Sequence, residues 1–306
     1  MRAVALGGGH GLAASLQALR RLTKEVTAIV TVADDGGSSG RLRTELNALP
    51  PGDLRMALTA LAADDAQTWA AALQHRFRSN GPLDGHAVGN LLLVGLTEVT
   101  GDPVRALDMA ARLLGIEGRV LPMTTERIEI VAQVAGLGPE MQEVRGQVEV
   151  ATTPGRVCAV TLDPADPPAT PDAIEAIHQA DWVVLGPGSL FTSMVPHLLV
   201  PGLRDAITTT TARRLLVLNL VPQTGETSGF TPAAHLEAVA AHVPDLPFDV
   251  VLADDGTLDR DGLMDAANGL GAQVRFAPVR ADGHVARHDP ERLARAYSDL
   301  METTWR

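Results

Sequence analysis

The sequence predicts an α/β protein with a Rossmann-like, doubly wound and mostly parallel sheet. Short aliphatic runs at 4–6, 26–32, 183–185, 215–220 and 250–253 have strand length and are too apolar for a sheet with a wet face. Stretches with helical spacing alternate with them. At two places a predicted strand also runs straight into a glycine loop, the junction at which such sheets hold phosphates. In chain order, the strand at 4–6 leads to a helix at 12–22 and a strand at 26–32. Helices follow at 54–63, 69–77, 89–99 and 104–114. Strand-like runs at 128–134, 144–150 and 157–162 have no helix between them and predict a small antiparallel insertion near the middle, about 120–162. Helices at 171–180, 231–243 and 290–301 interleave with the remaining strands, and the whole chain, 1–306, reads as one domain.

The first glycine loop, Gly7-Gly8-Gly9-His10-Gly11-Leu12, lies between a strand and a helix. Its glycines let the backbone approach a phosphate, and the helix start offers unpaired N–H groups. Gly9, Gly11 and Ala14 satisfy the dinucleotide spacing, with Asp34 placed as a ribose acceptor, so this loop leaves dinucleotide and simpler phosphate ligands open. A polar run follows the second strand: Asp34, Asp35, Gly36, Gly37, Ser38, Ser39 and Gly40, then Arg41 and Arg43. Asp34 and Asp35 are candidates for holding sugar hydroxyls or a magnesium ion and, should chemistry occur, for catalysis. The serines and arginines suit phosphate oxygens. Asp53 reads as a helix-start acid, and Arg55 as a cation for the same anion. His86 and Asn90 lie four apart and share a helix face, in a structural or a binding role. The second loop contributes Gly186, Gly188, Ser189 and Thr192. After the next strand come Asn219, Thr224 and Glu226, suited to hydrogen-bonding a sugar or base.

Composition narrows the function. The 306 residues are 45% hydrophobic, ample for a core, and carry a net charge of −12 that opposes nucleic acid and anionic membranes. Aromatic residues make up only 3%, leaving little for a base-stacking surface. Cys158 is the only cysteine, so no intrachain disulfide can form, and no run is apolar enough for a membrane span. A cytoplasmic protein is expected. There is no Walker A motif, zinc-protease helix or nucleophile elbow.

In these motifs the chain resembles the YvcK-type gluconeogenesis factors, relatives of the 2-phospho-L-lactate transferases in the CofD-like family. The Gly7–Gly11 loop and the run from Asp34 to Arg43 carry most of the likeness. Gly52-Asp53-Leu54-Arg55, Gly85-His86, Gly89-Asn90, the run from Gly186 to Ser193, Gly225-Glu226-Thr227 and Arg287-His288-Asp289-Pro290 extend it. The resemblance implies binding of UDP-sugars of the UDP-N-acetylglucosamine or UDP-glucose type, with roles in carbon metabolism and cell shape. It also implies a protein partner in cell-wall or carbon regulation, and a homodimer is compatible with the apolar helices. The alternative it implies is a magnesium-dependent transferase that moves a phospholactyl group from a nucleoside-diphosphate-linked donor. His10, Ala87 and Ser228-Gly229-Phe230 depart from the usual pattern, at positions that bear on sugar specificity.

Overall fold

The computed structural model describes residues 1–302. The chain begins β1 (Ala3–Gly7), α1 (Gly9–Leu19) and β2 (Val26–Val30), followed by α2 (Gly37–Leu46), α3 (Gly52–Leu61), α4 (Gln67–Gln74), α5 (Val88–Thr100) and α6 (Pro103–Leu113). β3 (Arg119–Pro122) precedes β4 (Glu129–Ala135), β5 (Gln142–Arg145), α7 (Gln147–Thr152) and β6 (Arg156–Asp163). Then come α8 (Pro171–Gln179), β7 (Trp182–Leu185), a π-helical turn (Leu190–Met194), α9 (Val195–Leu199), α10 (Pro201–Thr209) and β8 (Arg213–Val217). The chain closes with α11 (Pro232–His242), β9 (Val250–Asp254), α12 (Arg260–Gly269), β10 (Gln273–Ala277) and α13 (Pro290–Glu302).

Seven parallel strands form the main sheet in the order β10-β9-β8-β7-β1-β2-β3. Every residue of β1, β7 and β9 is buried, as expected of strands covered by helices on both faces. The chain winds outward from β1 to β3, then returns to β7 and winds outward the other way. This reversal leaves a crevice beyond the carboxyl ends of β1 and β7, where open α/β sheets bind ligands. Local signals set the helix limits. Gly101, with φ 67°, ends α5, and the Asp102 carboxylate accepts the Val104 N–H at 2.8 Å ahead of Pro103 to start α6.

The antiparallel insertion is present as a second sheet, β5-β4-β6. Its limits differ from those expected. Residues 119–122 pair in parallel with β2 and belong to the main sheet, so the insertion begins with β4. The expected strand at 144–150 stops at Arg145. Gly146 turns the chain at φ 91°, and Asp35 accepts the N–H groups of Gln147 and Val148, both at 2.9 Å, converting the rest into α7. The polar run after β2 is helical from Gly37 onward, and the Asp/Gly-rich stretch 254–283 contains α12 and β10.

Candidate functional site

The two glycine loops meet at the crevice between β1 and β7. Gly11, in the first turn of α1, lies so close to the second loop that a Cβ there would sit 2.2 Å from the Pro187 carbonyl oxygen. Gly9 has φ +57°, which also favours glycine, although the space around it is open. Helix α1 starts with Gly8 at its N-cap and has no acid of its own in the first turn; Asp53 takes the Gly9 N–H, and the helix's positive dipole end faces the crevice. On the opposite wall, Asn219 grips Gly188 twice, accepting its N–H at 3.1 Å and donating to its carbonyl at 2.8 Å. Gln223 donates to the Ser189 hydroxyl at 2.9 Å. The cleft between these walls has a volume of about 320 Å³ and is lined by Gly8, Gly9, His10, Asp34, Asp53 and Ser189, among others.

The two loops differ electrostatically. Buried Glu226 accepts the Phe191 N–H at 2.6 Å and the Thr192 hydroxyl at 3.0 Å, so the protein's own carboxylate already occupies the start of the π-helical turn. The first loop also gives one N–H, that of Gly9, to a carboxylate, Asp53, but it borders the open cleft. Burial raises the Glu226 pKa above the usual carboxylate range, and the hydrogen bonds it accepts work against that shift.

The acids at 34 and 35 part company. Asp34 lines the cleft, accepts the Gly36 N–H at 3.0 Å and packs against the start of α3, where a side chain at Gly52 would meet its Oδ2. Asp35 spends both carboxylate oxygens on the backbone of α7. Asp53, in the first turn of α3, joins Asp34 at the cleft and accepts the Gly9 N–H. Burial, reinforced by the Asp34 charge, pushes the Asp53 carboxyl up to about 7. A magnesium ion carried in with a diphosphate would fit this pair, with the phosphates completing its oxygen ligands. No group of three or more metal-ligating side chains occurs among the described residues.

Native Asp53 therefore keeps its proton where the unfolded chain's Asp has lost it, so stability is expected to fall as pH rises from about 4 to about 7 and to level off above that. Asp53→Asn removes this slope. Relative to that variant, wild type should lose roughly 2–3 kcal/mol between pH 5 and pH 8 in urea titrations. Parallel pH profiles for the two proteins would show that Asp53 titrates normally.

Other expected site residues form the wall behind the cleft. Ser38 accepts a hydrogen bond from Asn90 at 3.0 Å and lies 2.9 Å from His86 Nδ1, while Asn90 accepts from Arg55 at 3.0 Å. All four side chains are buried, a connected polar chain behind α2, α3 and α5. Burial, and then the Arg41 charge, lower the His86 pKa. Ser39 accepts the Gly52 N–H at 3.0 Å. Arg41 donates to the carbonyls of Pro82 and Asp84, and Arg43 to that of Ile128, so both guanidinium groups are engaged away from the cleft. Gly7 and Gly186 shape the turns at the strand ends, and Thr224 is exposed outside the cleft lining. Sequence reasoning had not singled out Gln147, Ser193, Gln223 or His288 as site residues, yet all four line the cleft. Gln223 stands four residues after Asn219, and His288 lies in the Arg287–Pro290 run, which was the available signal.

A family model described as 2-phospho-L-lactate transferase CofD matches residues 3–296. A Mycobacterium tuberculosis protein described as a "Putative gluconeogenesis factor" is 55% identical over 300 residues, covering 95% of this chain and 87% of its own. A "Gluconeogenesis factor" of Bacillus subtilis is 35% identical over 312 residues, covering 97% and 96%. The crystal structure of a UPF0052 family member from Bacillus halodurans superposes with a TM-score of 0.88 at 35% identity, covering 96% of this chain and 97% of that one.

Proposed function

This chain belongs to the CofD family, and from that premise we propose that it is a nucleotide-sugar-binding factor of carbon metabolism and cell-shape maintenance, with UDP-N-acetylglucosamine or UDP-glucose as the ligand type. One observation carries the proposal: the first turn of α1, where Asp53 takes the Gly9 N–H, faces a loop held by Asn219 across a cleft at the sheet's point of reversal. The remaining α1 N–H groups suit the diphosphate and Asp34 suits hydroxyl groups, while Asn219 and Gln223, their amides engaged with Gly188 and Ser189, hold the facing wall in shape. The curated relatives named as gluconeogenesis factors support the metabolic role. Such a protein would work in the cytoplasm; no helix among the described residues is long and apolar enough to cross a membrane. A regulatory role calls for a protein partner, and a homodimer would be compatible with it.

The Asp34–Asp53 pair favours a second reading, a magnesium-dependent transferase acting on a nucleoside-diphosphate-linked donor. Calorimetric titration with UDP-N-acetylglucosamine, UDP, GDP and NAD, each with and without magnesium, separates the two. Preferential binding of the UDP-sugar, recovered intact, is the expected result. Preference for GDP or NAD, or cleavage of the diphosphate, would replace the sensor with an enzyme. Ligand that binds only the native state also stabilises it, by about 2.7 kcal/mol at one hundred times Kd, so a melting shift provides an independent check.

A further inference from the structure

Beside the nucleotide cleft lies a larger cavity of about 890 Å³, enclosed by α1, α3, α4 and the segment before α13. The two spaces share His10, Gly11, Ala286 and His288 at their border. The charge of the larger one runs against that of the protein. The chain carries 37 acidic and 25 basic residues, yet Arg55, Arg76 and Arg287 line this cavity, and the described residues around it include no Asp or Glu. The smaller cleft, by contrast, holds both Asp34 and Asp53.

Arg55 is the unusual member. Its side chain is buried, and its Nε, itself shut off from solvent, has no hydrogen-bond partner although Nη1 donates to Asn90; Asp53 and Asp34 act on its charge without forming a close ion pair. Leaving a buried guanidinium hydrogen unpaired is costly, and a buried cation is ordinarily matched by an anion. Burial, and after it the nearby Arg76 charge, push the Arg55 pKa down to about 10 against the opposing pull of the Asp53 and Asp34 charges, and an anion near both guanidinium groups would relieve burial and repulsion alike. A carboxylate would bring one charge against three arginines. A phosphoryl group brings nearly two, with three acceptor oxygens that match guanidinium geometry.

We propose that this cavity is a binding site for the phosphoryl group of a small phosphorylated molecule, separate from the diphosphate of any nucleotide in the neighbouring cleft and recognised by Arg55 and Arg76. The proposal stands on the cavity lining, whether or not the neighbouring cleft takes a nucleotide.

The test is calorimetry with inorganic phosphate as the probe, in phosphate-free and magnesium-free buffer, with and without saturating UDP. Phosphate should bind in both conditions. Arg76→Ala, an exposed position outside the nucleotide cleft, should weaken phosphate binding about tenfold while leaving UDP affinity unchanged. Arg55→Lys keeps the charge and most of the packing but loses the planar fork, and should weaken phosphate comparably. Succinate should not compete. Displacement of phosphate by UDP, or equal phosphate affinity in wild type and both variants, would overturn the proposal. Equal binding of succinate would overturn the choice of a phosphoryl group. If UDP itself fails to bind, the nucleotide-sugar function falls, and phosphate titration of the variants still decides the cavity.

Discussion

Gly11→Ala is expected to destabilise the protein by about 3 kcal/mol or more and to abolish the nucleotide binding proposed above. The added methyl would lie 2.2 Å from the Pro187 oxygen and 2.6 Å from its carbonyl carbon, and these are backbone atoms that no rotamer change can move aside. Either α1 shifts outward or the second loop does, and in both cases the two walls of the cleft lose their spacing. Overpacking of this kind typically costs 1–3 kcal/mol where side chains can yield, so a backbone collision belongs at the upper end or beyond. Gly9→Ala serves as the comparison. It meets no atom within 4 Å and suffers only from its positive φ, a penalty of about 1–2 kcal/mol. Urea denaturation with UDP titration checks both variants. If Gly11→Ala proves no less stable than Gly9→Ala, the loops do not touch as described.

Removal of the Glu226 carboxylate should have an effect of similar size through a different cause. Glu226→Ala strands the Phe191 N–H and the Thr192 hydroxyl in a buried setting, each having lost a hydrogen bond to an acid. At about 1.5–3 kcal/mol for each such bond, the expected loss is roughly 3–6 kcal/mol. Glu226→Gln keeps an acceptor and sheds a carboxylate whose ionisation burial already opposes, so it should cost much less. Denaturation midpoints for the two variants decide this. Equal losses would show that packing, not the hydrogen bonds, sets the importance of this residue.

Some of the site was legible in the sequence because its signal is local. A strand followed by glycines and a helix states its geometry within about ten residues, which is why both loops and the Asp34 position were found. The parallel strands were legible for a similar reason, since burial on both faces demands unbroken aliphatic runs. What was not legible depends on distant partners. The run 144–150 is rich in valine and reads as a strand, but its second half is turned into a helix by Asp35, more than a hundred positions away. Arg41 and Arg43 follow a phosphate-like motif, yet their direction is decided by the carbonyls of Pro82, Asp84 and Ile128. Arg55 is buried through Asn90, 35 residues on, and no pattern around it announces that. The larger cavity follows from how α4 and the 286–290 segment close over α1 and α3, a tertiary event with no sequence signature.

The divergence of Asp34 and Asp35 changes how a mutagenesis result here should be interpreted. An acidic doublet beside a ligand cleft invites substitution of both members, with lost activity taken as proof of chemistry. In this fold Asp35 is an anchor for the insertion, so a dead Asp35→Asn protein reports a detached segment and says nothing about catalysis. The informative allele is Asp34→Asn, and Asp35→Asn becomes its architectural control: the two phenotypes separate a residue that faces the cleft from one that holds the scaffold, within a single dipeptide.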